Sequence, residues 1–159
     1  AHLIGVLAGA VGARRTLEVG CGLGYSALWL AYGSTPNGRI ETIEEDETHA
    51  AIARQLIQEH GYAERITVHG APYVEALPRL DGPFDVIFYD AFVPGPSDLD
   101  QFVRLLRSGG LLITSNLFLG RYIPDLPELS RGAEYRRRLL DDERWLTSFA
   151  GLKAVSVRR

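Results

Sequence analysis

The chain contains no methionine, one cysteine and one lysine, and each scarcity excludes something. A lone Cys21 cannot form an internal disulfide, which fits a reducing, cytoplasmic setting. The missing initiator methionine suggests a start inside a longer or processed product, with N-terminal elements lying outside these 159 residues. The single lysine, Lys153, sits close to the C-terminus, too far along the chain to be an obvious central catalytic base. There is no basic excess either. Lys+Arg 17 against Asp+Glu 20 gives a net charge of -3, which disfavours a nucleic-acid partner held through phosphates. No uninterrupted apolar run approaches the ~20 residues of a membrane span, and residues 1–13 lack the basic front of a signal peptide. With 46% hydrophobic and 23% charged residues, the composition is that of one folded domain without a linker or repeat.

Short β-rich apolar runs alternate with helix-period segments, as in βαβ units around a parallel sheet. Strands are expected at 16–19, 39–43, 65–68, 84–89 and 111–114. The run 84–89 is apolar nearly throughout, as a strand buried on both faces should be. A helix at 25–32 runs on to Gly33. Asp46 is placed to N-cap a helix with Ile52, Ala53, Leu56 and Ile57 on one face, stopped by Gly61. A short helix is expected at 74–80. Ser97 and Asp100 have capping-box spacing before Leu99, Phe102, Val103 and Leu106, with Ser108-Gly109-Gly110 ending that helix. Residues 117–130, with Gly120, Pro124 and Pro127, read as a loop. A helix at 134–140 carries an arginine run, and 144–149 with 152–157 form a closing antiparallel hairpin.

The chemistry concentrates behind the first strand. In Gly20-Cys21-Gly22-Leu23-Gly24 three glycines let a strand turn into a helix and let a ligand lie against bare backbone. The helix start behind them offers free N–H groups to a carboxylate or phosphate. Glu44 ends the second strand, twenty positions after Gly24, where a carboxylate can accept from both hydroxyls of a ribose. The spacing is Gly-x-Gly-x-Gly, with Tyr25 where a dinucleotide enzyme has its last glycine. Glu18, two residues ahead of the turn, suits a cationic partner better than a pyrophosphate. A ligand with a ribose at one end and an amino-acid ammonium at the other is S-adenosylmethionine.

These segments resemble the catechol-type and caffeoyl-CoA-type O-methyltransferases of the class I methyltransferases. The matches are Leu17-Glu18-Val19-Gly20, Gly24-Tyr25-Ser26-Ala27, Thr42-Ile43-Glu44, Arg65-Ile66-Thr67-Val68 with Gly70-Ala71, Phe84-Asp85 through Phe88-Tyr89-Asp90, Leu105-Leu106-Arg107 with Gly109-Gly110, and Ser115-Asn116. The resemblance implies a Rossmann-like, doubly wound α/β fold, its seven-stranded sheet mostly parallel with an antiparallel C-terminal strand. It implies S-adenosylmethionine bound across the strand ends. Glu18, Gly20, Gly22 and Gly24 would then lie toward the methionine end, and Tyr25 and Ser26 would meet its carboxylate through the helix start. Glu44 would hold the ribose with Glu45 beside it, Ala71 and Pro72 would border the adenine, and Asp90 would close the site. Such proteins bind a divalent metal through an Asp at the Asp90 position and an Asp-Asn pair after the fifth strand, with a lysine three residues beyond the first Asp. Here the pair is Ser115-Asn116 and the lysine position is Val93. The resemblance therefore implies an intact cofactor site and degraded metal machinery, with no metal expected. Asp90, Asn116, His69, Tyr122 and Asp125 are the polar groups left for the acceptor, and Phe92, Phe118 and Tyr122 could wall it.

Other residues carry plainer expectations. Cys21 is a small residue in a tight turn. His2, His49, His60 and His69 lack ligand spacing. Arg136-Arg137-Arg138 marks a solvated helix face, and Glu41, Glu45 and Glu47 are surface acids. Trp29 is expected in the core, and Trp145 in the hairpin packing or a homodimer contact. The leading reading is an S-adenosylmethionine-dependent O-methyltransferase for a small-molecule acceptor, without nucleic-acid or membrane partners. The alternatives are a cofactor-binding homologue without turnover and a nicotinamide-dependent oxidoreductase.

Overall fold

The structure is a computed structural model that describes residues 1–118 and 129–159. Its strands are β1 (Arg15–Val19), β2 (Arg39–Glu44), β3 (Ile66–Gly70), β4 (Phe84–Tyr89), β5 (Leu106–Thr114), β6 (Trp145–Ala150) and β7 (Lys153–Arg158). They form one sheet in the order β3-β2-β1-β4-β5-β7-β6. The first five are parallel, and β7 lies antiparallel between β5 and β6. This is the expected doubly wound α/β sheet. Sequence order reverses between β1 and β4, which opens a crevice at their C-terminal ends.

Helices α1 (His2–Ala10), α2 (Tyr25–Gly33) and α3 (Glu47–Glu59) cover one face. The short α4 (Tyr73–Ala76) with its 3₁₀ continuation (Leu77–Arg79), α5 (Pro96–Leu105) and α6 (Leu129–Asp141) cover the other. In β4, Val86 and Phe88 face the first layer while Ile87 and Tyr89 face the second, so all four are buried. That two-sided burial is why the strand reads as an unbroken apolar run. Asp46 caps α3 as its sequence suggests, accepting from the His49 N–H at 2.9 Å. Ile52 does not share the buried face; it is exposed, and Ala50, Ala53 and Ile57 are the side chains buried.

The periodicity misses α1 altogether. Its sequence is small and apolar all round because it packs by backbone: a Cβ at Gly33 would sit 2.0 Å from the Gly5 carbonyl oxygen. Two helices this close leave no outward signature of polar against apolar. The start of β5 also differs from expectation. Ser108-Gly109-Gly110 does not end α5, which stops at Leu105, but lies inside β5, which shifts register against β4 between Phe84 and Val86; the glycines mark a bulge. The cap of α5 is not the Ser97–Asp100 pair. Asp98 accepts from the Gly95 N–H at 2.7 Å, and Asp100 instead meets Arg138 at 3.1 Å.

Arg138 also donates to the Pro96 carbonyl at 2.6 Å, and Arg136 donates to the Leu117 carbonyl. Two of the three arginines thus tie α6 to its neighbours, and only Arg137 is exposed. Trp145 is buried with Leu139 and Ala154 under the hairpin. Trp29 is not core: it is half-buried, its ring 3.9 Å from that of His2. Among the described residues no helix is long and apolar enough to cross a membrane.

Candidate functional site

The C-terminal ends of β1, β2 and β4 open onto a cavity of about 470 Å³. The turn after β1 supplies Gly20, Cys21 and Gly22, and α2 supplies Ser26. Ile43, Glu44 and Glu45 come from the end of β2, Tyr73 from α4, Asp90, Ala91 and Phe92 from the end of β4, and Asn116 from beyond β5. The ionisable side chains among the described lining residues are three carboxylates, one phenol and the Cys21 thiol, with no lysine, arginine or histidine.

The turn is fastened to β2. The N–H groups of Gly20 and Cys21 both donate to the Ile43 carbonyl, at 3.0 and 3.1 Å. Gly20 adopts φ +94, and a Cβ there would sit 2.7 Å from the Ala91 nitrogen, so only glycine serves. Gly22 donates its N–H to Glu44 Oε2 at 2.6 Å, and Asp46 donates to Oε1 at 3.0 Å. Two backbone donors thereby fix the Glu44 carboxylate at the cavity edge.

Glu18 lies beneath the wall rather than in it. It alternates with Leu17 and Val19 along β1 and is fully buried. The Thr42 hydroxyl donates to its Oε2 at 2.6 Å, while Oε1 has no hydrogen-bond partner among the described residues. Burial pushes this carboxyl from its ordinary 4.5 up to about 7, against the opposing pull of the Ser26 and Thr42 hydroxyls. Glu18 thus places a buried carboxyl oxygen without a hydrogen-bond partner directly behind the cavity wall.

At the far end, Asp90 follows β4 and donates its N–H to the Val19 carbonyl at 2.8 Å. Burial raises its pKa, and the Ser115 hydroxyl and the Lys153 ammonium work in the opposite direction. Asn116 has φ +63 and donates Nδ2–H to the Ala91 carbonyl at 2.7 Å and to Asp90 Oδ1 at 3.4 Å. The position of Lys153 overturns the reading from chain distance. Because β7 pairs with β5 at Thr114↔Ala154, Lys153 arrives level with Ser115, and its Nζ donates to Ser115 Oγ at 2.6 Å. The signal that could have found it is the closing hairpin itself, had its pairing partner been known.

Gly20, Gly22, Ser26, Glu44, Glu45, Asp90 and Asn116 are therefore brought together. Gly24 turns toward Ala53, and Ala71 and Pro72 stop short of the wall, which Tyr73 reaches in their place. The Tyr25 ring points into a separate apolar hollow with Trp29 and Tyr62. His69 is withdrawn: its Nε2 lies 3.2 Å from Glu41 Oε2, across β2–β3 and away from Asp90, and Arg15 holds the same glutamate at 2.9 Å. Glu45, expected beside Glu44 and among the surface acids, is exposed and lines the cavity. Phe92 lines the cavity as expected, Phe118 packs on Phe149 with ring centroids 5.7 Å apart, and Tyr122 and Asp125 lie outside the described residues. Cys21 is buried and its thiol is pushed up to about 12, so it is no nucleophile at neutral pH.

Comparison with known proteins adds to this geometry. The family model described as O-methyltransferase matches residues 1–150. A catechol O-methyltransferase of Mycobacterium tuberculosis is 41% identical over 117 residues, covering 72% of this chain and 53% of that protein. The chain thus spans about half the length of that relative. The O-methyltransferase TomG of Streptomyces achromogenes, involved in tomaymycin synthesis and solved in complex with SAM, superposes with a TM-score of 0.89 at 29% identity, over 99% of this chain and 78% of the other. An O-methyltransferase from Bacillus cereus in complex with SAH gives 0.87 at 27% identity, over 99% and 80%.

Proposed function

The chain belongs to the O-methyltransferase family, and from that premise we propose that its cavity binds S-adenosylmethionine and directs the methyl group onto an oxygen of a small-molecule acceptor. The observation that carries this reading is the charge of the site. Glu44, Glu45 and Asp90 line the cavity, Glu18 waits behind it, and no basic side chain stands among the described lining residues. Such a cavity favours a cation and disfavours a pyrophosphate, which argues against the nicotinamide alternative.

When bound, S-adenosylmethionine supplies a methyl carbon on positively charged sulfur; the acceptor oxygen forms the new C–O bond as the C–S electron pair returns to sulfur. The protein's part is alignment and exclusion of water. Glu44, already oriented by Gly22 and Asp46, accepts from the ribose hydroxyls. The start of α2, with Ser26, receives the amino-acid carboxylate. Glu18 and Asp90 offset the positive charges. Phe92 gives the acceptor an apolar wall, and Asp90 is the described lining group placed to take the hydroxyl proton.

The donor set at the far end does not suit a divalent cation. A hard ion wants about six oxygen ligands, with carboxylates among them. Here Ser115 Oγ is already engaged by an ammonium, Asn116 turns its N–H donors toward Asp90 and Ala91, and Asp90 is left as the single carboxylate. Metal independence is accordingly part of the proposal. One observation favours cofactor binding without turnover: Val93, at the family's lysine position, is buried.

Calorimetric titration with S-adenosylhomocysteine and with NAD, each with and without Mg²⁺, tests the reading. Binding of the homologue, indifferent to Mg²⁺, is expected; tight binding of NAD alone overturns it. Methyl transfer to any acceptor in a panel eliminates the non-catalytic alternative.

A further inference from the structure

We propose that Lys153 is the resident cation of the acceptor end, a positioning residue whose ammonium, set behind Ser115, supplies with one fixed charge what a divalent ion would supply beside Asp90 and Asn116. The inference rests on the methyltransferase reading of the same cavity. Its grounds are geometric. The chain has one lysine, and the sheet delivers it, half-buried, to this spot. Nζ lies 2.6 Å from Ser115 Oγ and 5.9 Å over the ring of Phe88. Ser115 is itself buried at 2% exposure and is fixed by its N–H to the Tyr89 carbonyl at 2.8 Å. An ammonium surrounded in this way keeps its charge near one place rather than sweeping through solvent.

Two consequences follow from having an ammonium behind a hydroxyl instead of a metal ion. The ammonium holds Ser115 by a hydrogen bond and reaches Asp90 by its charge and through the Ser115 hydroxyl, without an exchangeable component. It also cannot chelate two neighbouring acceptor oxygens, as a divalent ion with open coordination positions can. Lys153 does not line the cavity; it acts through Ser115 and Asp90.

The test exchanges the two solutions. Mn²⁺ binding is followed by the loss of its free-ion electron paramagnetic resonance signal in wild-type protein, K153M and the double variant S115D/K153M. Wild-type protein is expected to leave the signal unchanged at millimolar Mn²⁺, and the double variant to bind at least tenfold more tightly. In the same preparations, methyl transfer from S-adenosylmethionine to an acceptor found in the panel above should be insensitive to excess EDTA. It should fall at least tenfold in kcat in K153M and recover in part in K153R. Wild-type protein binding Mn²⁺ as tightly as S115D/K153M, or losing transfer to EDTA, overturns the proposal whatever the variants do. Failure of wild-type protein to bind S-adenosylhomocysteine would instead sink the underlying reading, and the two failures are read by separate titrations.

Discussion

Replacing Glu18 by Gln should make the empty protein more stable and the working protein worse. The amide keeps the size of the side chain and an oxygen for the Thr42 hydroxyl, but removes the charge. Glu18 titrates near 4.5 when unfolded and about 7 when folded. Below 4.5 it is protonated in both states and costs nothing. Above 7 it is ionised in both, and folding must bury the charge. Stability therefore falls as pH rises from 4.5 through 7. At about 1.4 kcal/mol per pH unit, that window amounts to about 3 kcal/mol. Urea unfolding of both proteins without ligand, at pH 4.5 and pH 8, measures it. The stability of Glu18→Gln relative to wild type should increase by about 3 kcal/mol between the two pH values, while its affinity for S-adenosylmethionine falls. A difference independent of pH would show that Glu18 is not held against its charge, and unchanged affinity would show that the ligand does not use it.

Glu44→Ala should weaken S-adenosylhomocysteine binding by roughly 1–3 kcal/mol, as for lost hydrogen bonds to a charged group; calorimetry showing no loss would place the ribose elsewhere. Cys21 should resist a thiol reagent such as dithionitrobenzoate at pH 8 in the native state and react on unfolding, since its thiol lies near 12; prompt native reaction would contradict the burial. Asp98→Ala should cost about 1–3 kcal/mol in urea unfolding by leaving the buried Gly95 N–H unpaired. Gly33→Ala should force α1 and α2 apart, because the new methyl has only the Gly5 backbone to meet; an unchanged melting temperature would refute that contact.

The sequence makes legible what is encoded locally or in strand-helix alternation. The expected limits of β4 match the structure, and Asp46 announces the start of α3, because a two-sided apolar run and a capping carboxylate need only their immediate neighbours. The glycine turn and Glu44 are legible for a related reason: special backbone conformation and a charge at a strand end both show in residue type. What escapes is long-range. The α1 helix hides in its contact with α2, the bulge in β5 imitates a helix stop, and His69 is claimed by Glu41 from the adjacent strand. Tyr73 joins the cavity only because α4 folds back over it. The largest miss, Lys153, depends on which strand the closing hairpin chooses as its partner, and residue spacing alone carries no such information.

On the proposal for Lys153, that hairpin is a positioning element rather than trim. Successive side chains along a strand exit on opposite faces, so sliding β7 by one position against β5 would send the ammonium to the wrong side of the sheet. The tight connection Gly151-Leu152 joins the paired residues Ala150 and Lys153 and sets β6 against β7, while the pairing of Thr114 with Ala154 sets Lys153 against Ser115. Most surface connections accept an inserted residue without harm; one residue inserted between Lys153 and Ala154, remote in sequence from every glycine and acid of the cleft, would instead carry the ammonium away from Ser115 while β7 stays paired with β5.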